Sequence, residues 1–192
     1  MNRKQLSEQE EQVLMQSFTQ GEQRAFKYVF DQHYQAMTFF TRKMLPDHIQ
    51  QAQDIVTDTF TKLWLRHSDF AHIAQVRAFL YTAAKNACLD HIKHLERLAR
   101  NKKELYNFLQ DYEEDSLQFM MKSELLRQLV AQIDQLPEKY QAVCRLAYIE
   151  EIDTKTIAHW LKLTEKTVRN IKGISIQKLR DILKHKNIKP FL

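Results

Sequence analysis

Glycine and proline are nearly missing from this chain: two Gly (Gly21, Gly173) and three Pro (Pro46, Pro137, Pro190) in 192 residues. Sheets need many tight turns, and tight turns draw on these two residues. Their scarcity argues against a β architecture and for long helices. Cysteine is equally scarce. Cys88 and Cys144 cannot build a disulfide framework or a zinc motif, and both fall in apolar-periodic segments, where free thiols are ordinarily buried and reduced. His91 and His94 share a helical face with no further ligand cluster, so neither a metal site nor a cofactor is expected. No run approaches the ~20 apolar residues that a membrane span needs. Met1 to Glu11 is polar and lacks an apolar signal region. The expectation is a cytosolic protein without membrane insertion. A Gly-rich phosphate loop, a Ser-His-Asp grouping and an apolar carboxylate pair are all missing, which weighs against an enzyme.

What is present is helix-forming. Apolar residues make up 44% of the chain, enough for real cores, and Leu, Gln, Lys, Glu and Ala dominate. The expected class is all-α, with two helical domains joined by a linker. Ser7-Glu8-Gln9-Glu10 reads as a capping box opening a first helix that Gly21 breaks. A second helix runs from about Glu22 to Leu45, with Phe26, Val29, Phe30, Tyr34, Met37 and Phe40 at helical spacing. After Pro46-Asp47 a third runs from about Ile49 to Arg66. His67-Ser68-Asp69-Phe70 opens a loop, and a fourth helix spans about Gln75 to Arg97. These place a first domain at 1–97. Residues 98–122 mix charges of both signs around an acidic run, Asp111 to Asp115, and read as a linker with helical parts. The second domain, 123–192, starts near Ser123 with a Leu125, Leu126, Leu129, Val130, Ile133 stripe. Pro137 suits the first position of the next helix.

Charge is unevenly spread. Residues 1–97 hold 12 Lys/Arg against 11 Asp/Glu, whereas 123–192 hold 13 against 8. A basic C-terminal segment on a near-neutral body suits a phosphate-backbone partner, although charge alone is as consistent with a solvated helix face. The local pattern sharpens this. Thr154 to Leu161, then Lys162-Leu163, then a helix capped by Thr164 have the layout of a helix-turn-helix. Ile157, Ala158 and Leu161 form the inner face of the first helix, Leu163 plugs the turn, and Val168 packs beside the small Ala158. Lys166, Thr167, Arg169 and Asn170 point outward. Arg and Asn suit guanine and adenine edges, and Lys suits phosphates.

At this point a family resemblance enters. Leu136-Pro137-Glu138-Lys139-Tyr140 through Leu179-Arg180 resembles the fourth conserved region of bacterial sigma factors. Gly21-Glu22-Gln23-Arg24-Ala25-Phe26 resembles the opening of their second region. Ala52 to Trp64 resembles its "A-E-D-(L/I)-V-Q-(E/D)-x-F-x-x-(L/V)-W" segment, with Thr57 where Gln is usual. Phe79 to Asp90 resembles "W-L-x-x-I-A-R-N-x-x-x-D", with Phe79 for Trp and Lys85 for Arg. The turn position often held by Gly is Lys162. With only a short linker between the two regions, the chain resembles the extracytoplasmic-function (ECF) group of sigma factors.

The resemblance implies a transcription initiation factor that binds core RNA polymerase and directs it to promoter DNA through the minus-ten and minus-thirty-five elements. Asp54 and Asp58, one helical turn apart, would face the polymerase together with Phe60 and Trp64, the last two being as well explained as core residues with an exposed edge. The loop from His67 to Gln75 would form a pocket for a flipped base, with Phe70, His72, Arg77, Lys85 and Asn86 as minus-ten contacts. The aromatics Phe79 and Tyr81 read as core, and Phe70 suits core and base pocket equally. Thr164, Lys166, Thr167, Arg169, Asn170 and Lys172 would meet the minus-thirty-five element. An anti-sigma factor is the implied regulator. The main rival is a helix-turn-helix regulator with an N-terminal sensing domain, but residues 1–120 offer no ligand pocket or phosphoacceptor, and the Asp54 to Trp64 pattern would go unexplained.

Overall fold

The computed structural model describes residues 6–99 and 102–185, with side chains over 6–95, 97 and 115–181. Among these residues every regular element is helical, and no helix is long and apolar enough to cross a membrane. Helix α1 (Glu8–Thr19) opens with the expected capping box: Ser7 Oγ accepts from Glu10 N–H (3.3 Å), and the Glu10 carboxylate accepts from Ser7 N–H (2.7 Å). Gly21 ends it at φ +76°, a left-handed conformation that costs glycine little. Helices α2 (Gln23–Met44) and α3 (Ile49–Leu65) follow, then a single 3₁₀ turn at His67–Asp69. Helix α4 (Ile73–Ala99) starts two residues before its expected beginning. The Gln75 side chain reaches back and accepts from the N–H groups of Ala71 (2.8 Å) and His72 (3.3 Å), which satisfies donors that a helix N-terminus leaves open.

Helix α5 (Lys102–Ile133) runs through most of the segment read as a linker. Lys, Glu, Leu and Gln without a Gly or Pro give it helix propensity throughout. The compact units divide inside this helix, between Arg127 and Gln128. The first unit, from Leu6, packs α1 to α4 around one core. Val29, Met37, Phe40 and Met44 of α2 meet Ala52, Val56 and Leu63 of α3, and Val76, Leu80, Ala84 and Cys88 of α4. Met15 and Phe18 of α1 close one end. Fully burying each larger side chain stabilises by about 1.5–3 kcal/mol. Cys88 is buried as expected, and burial pushes its thiol up to about 12.

The second unit holds α6 (Glu138–Cys144), a π-helical turn (Arg145–Ile149), α7 (Thr154–Trp160) and α8 (Glu165–His185). Its apolar side chains form two small clusters, one around Val143, Ile157, Ala158, Val168 and Ile171, the other around Ile133, Leu136, Cys144 and Leu179. Polar groups fix the turn into α6. Gln141 Nε2 donates to the carbonyls of Asp134 (2.9 Å) and Leu136 (2.6 Å), and Arg145 pairs with the Asp134 carboxylate. Pro137 takes the N-cap, one residue before its expected place, with φ −54° and ψ 142°.

Candidate nucleic-acid and polymerase interfaces

Three surfaces carry the residues singled out in the sequence. The first is the outer face of α3. Asp54 and Asp58 are exposed, and Asp54 accepts from Gln50 Nε2 at 3.2 Å. Phe60 and Trp64 turn the other way. Phe60 is 3% exposed, its ring 4.7 Å from Phe30, and Trp64 meets Phe26 at 4.9 Å. These rings hold α3 against α2, and Trp64 keeps a partly exposed edge. The alternation follows from helical period: positions 54, 58 and 65 lie on one side, while 56, 60 and 63 lie on the other. Leu65, seven residues after Asp58, is 75% exposed. Pattern reading had passed it over, although an apolar residue on the polar side of an amphipathic helix was a signal in the sequence.

The second surface is the loop and first half of α4. Phe70 is 6% exposed, wedged between Phe18 (6.5 Å) and Phe79 (5.2 Å). It is a core residue in this structure, and its ring can meet a base only by leaving both neighbours. Arg66 stacks over Phe79 at 5.4 Å and pairs with Asp69 at 2.8 Å. His72 and Asn86 are exposed, and Lys85 is half-buried. Arg77, Tyr81 and Lys85 are spaced by four, which sets them on one stripe of α4. Arg77 and Tyr81 both reach residues of α5. Arg77 Nη1 pairs with Glu124 at 3.2 Å, and the Tyr81 hydroxyl lies 2.7 Å from Ser123 Oγ.

The partners come from α5, where sequence reading had found no site residue. Arg127 donates to Glu124 from Nε (3.0 Å to each oxygen) and from Nη2 (2.6 Å). Burial pushes the Glu124 carboxyl up, but the Arg127 hydrogen bonds and the Arg127 and Arg77 charges outweigh it, and the carboxyl sits below its ordinary value. His33 of α2 lies beneath the same group. Burial first, then the Arg127 charge, lowers it to about 4, so it is neutral at physiological pH.

The third surface is built by α7 and α8. Asp153 caps α7, accepting from the N–H groups of Lys155 and Thr156, both at 3.0 Å. Thr164 caps α8 as expected, accepting from Thr167 N–H at 3.1 Å. Ile157, Ala158 and Val168 meet across the two helices. Leu163 does not plug the turn. Lys162 takes φ +54°, the backbone swings round, and Leu163 emerges 37% exposed while Leu161 packs on the cluster. Lys166, Arg169 and Asn170 are exposed on the opposite side. Arg169 lies 3.4 Å from Glu165, a solvent-exposed contact that is worth little. Thr167 is half-buried, its hydroxyl 2.8 Å from that of Thr164. Lys172 is also half-buried, with Nζ over the Tyr148 ring at 5.5 Å.

Residues 29–98, which span most of α2, all of α3 and most of α4, match the family model for Sigma-70 region 2. That stretch of the first unit thus has the sequence of a Sigma-70 region 2 domain. Over 130 residues, 67% of this chain and 77% of the other, the sequence is 21% identical to the ECF RNA polymerase sigma factor SigM of Bacillus subtilis (strain 168). Residues 29–98 are thus similar to the second region of sigma factors, and the wider chain is similar to a sigma factor of the ECF type.

Proposed function

We propose that this chain acts in transcription initiation by binding core RNA polymerase through the acidic face of α3 and carrying it to promoters. In this reading α4 and the loop before it engage the minus-ten element, and α8 meets the minus-thirty-five element with Lys166, Arg169 and Asn170. The observation that carries the reading is the division of labour on α3 within the matched region: Asp54 and Asp58 stand in solvent, while Phe60 and Trp64 hold the helix to α2. A pair of exposed carboxylates that no core contact requires is free to meet a basic partner. The layout of α7 and α8, with a capped N-terminus and three exposed polar side chains beside it, supports the DNA-binding part. Such a factor works in the cytoplasm, and an anti-sigma factor covering the α3 and α8 faces is its expected regulator.

In vitro transcription with core polymerase tests the proposal. Asp54→Arg with Asp58→Arg should abolish holoenzyme formation and promoter-directed transcription, with helicity and melting temperature nearly unchanged. A double variant that still forms holoenzyme at wild-type affinity rules out this docking face. A chain that never co-purifies with core polymerase yet binds an operator-like duplex points to a helix-turn-helix regulator instead.

A further inference from the structure

Residues 115–127 of α5 lie against α2 and α4 with an unusual inward stripe. Ser116 and Ser123 are buried, Phe119 and Met120 pack on the core of the first unit, and Glu124 and Arg127 face Arg77 and His33. Leu117 and Met121, on the other side of the helix, are 57% and 60% exposed. The seam therefore joins specific polar contacts to the apolar packing of Phe119 and Met120. Ser123 Oγ donates to the Met120 carbonyl at 2.8 Å, which leaves its oxygen to accept from the Tyr81 hydroxyl at 2.7 Å. Glu124, with its side chain 20% exposed, holds Arg77 and Arg127 together.

Arg77 is the point of interest. It stands near the start of α4 on the stripe with Tyr81 and Lys85, and its guanidinium is bound to a carboxylate. Carboxylate and phosphate ask for the same donors of a guanidinium, so a DNA backbone reaching Arg77 competes directly with Glu124. The Tyr81 ring packs edge-on against Phe40 at 5.3 Å in the core, and its hydroxyl ties Ser123 to the same face. We infer that residues 115–127 of α5 are an intramolecular latch on the α4 face, with Glu124 standing where a DNA phosphate would pair with Arg77, so that the free protein binds opened DNA weakly until the latch lifts. This rests on the reading of Arg77 as a minus-ten contact. A seam of this composition suits a reversible contact, since charged and hydroxyl groups can exchange their partners for water at small net cost.

The test uses the full-length chain and a fluorescent single-stranded T/A-rich dodecamer at fixed ionic strength, read by anisotropy. Glu124→Gln keeps the size of the side chain and removes its charge. It should tighten binding roughly three- to tenfold, and the gain should vanish in the Arg77→Ala background. Amide exchange in residues 115–127 should quicken when the dodecamer is added to the wild-type protein. If Glu124→Gln binds no tighter than wild type while Arg77→Ala binds weaker, the latch is wrong and the DNA contact stands. If Arg77→Ala added to Glu124→Gln binds as tightly as Glu124→Gln alone, the minus-ten reading of Arg77 falls and the latch falls with it. Unchanged exchange in 115–127 on saturation with DNA also overturns the latch.

Discussion

Replacing Gly173 with alanine should stabilise the second unit. Gly173 is the ninth residue of α8, inside continuous helix, and it does not adopt positive φ. A Cβ built there meets no heavy atom within 4 Å, so the substitution carries no steric penalty. What remains is intrinsic preference: glycine in a helix interior is less favourable than alanine by about 1 kcal/mol, much of it from the greater freedom of the unfolded chain. For a unit of this size that corresponds to a rise of about 4–8 °C in its midpoint. The measurement is thermal unfolding followed by circular dichroism, with urea unfolding as a check. Gly21→Ala supplies an opposite control in the same protein. There φ is +76°, and the new Cβ would lie 3.2 Å from His67 Cε1, so a loss of about 1–2 kcal/mol is expected from the left-handed backbone alone. If Gly173→Ala proves neutral or destabilising while Gly21→Ala behaves as stated, α8 is not regular helix at residue 173, and the face on which Lys166, Asn170 and Gln177 are aligned must be redrawn.

Acid should weaken the first unit through His33. The folded form holds this ring neutral down to about pH 4, whereas the unfolded chain takes up a proton near 6.5, so stability falls as pH drops through that window, by up to about 3 kcal/mol. Denaturant melts at pH 7 and 4.5 should show the loss, and His33→Gln should flatten it; an equal loss in the variant would place the acid sensitivity elsewhere. Lys162→Gly should stabilise by about 0.5–1 kcal/mol, because relief of the left-handed lysine outweighs the added freedom of glycine in the unfolded chain; a lower urea midpoint would contradict the positive φ at that turn. On α8, Arg169→Ala should cost roughly 1–3 kcal/mol of affinity and relax preference at one base pair, whereas Lys172→Ala, its ammonium already over Tyr148, should change affinity little. Binding to a panel of single-base variants of the minus-thirty-five element checks both, and a uniform loss for Arg169→Ala would assign it to the phosphate backbone.

Helices were legible because their signals are local. Two glycines and three prolines left little room for anything else, and the Ser7, Thr164 and Gly21 punctuation marks stand where caps and breaks form. The inward faces of α2 and α3 follow from side chains recurring every three or four residues. The misjudged details share one cause, which is that backbone direction at a turn is not written in hydrophobicity. Lys162 at positive φ turns Leu163 outward while Leu161 keeps its expected inward place, and nothing in the apolar pattern marks Leu163 beforehand. Phe70 illustrates the same limit in a loop. An aromatic beside a candidate DNA pocket suits base stacking and core filling equally, and only the positions of Phe18 and Phe79 decide between them.

The α4 stripe shows a different limit. Its period set Arg77, Tyr81 and Lys85 on one face, but period says nothing of what covers a face. The cover comes from residues 42 and 47 positions away in sequence, in Ser123 and Glu124, and a pair so distant leaves no local trace. Nor does it leave a hydrophobic one. A helix docked by leucines would have announced itself as an amphipathic stripe, whereas α5 sets Ser123, Glu124 and Arg127 beside Phe119 and Met120 on its inward side and sends Leu117 and Met121 to solvent. The polarity that hid the contact from pattern reading also weakens it as glue, because hydroxyls and exposed ends of ion pairs find water a ready substitute where leucines would not. An inconspicuous seam and a releasable seam are, for this helix, the same physical property.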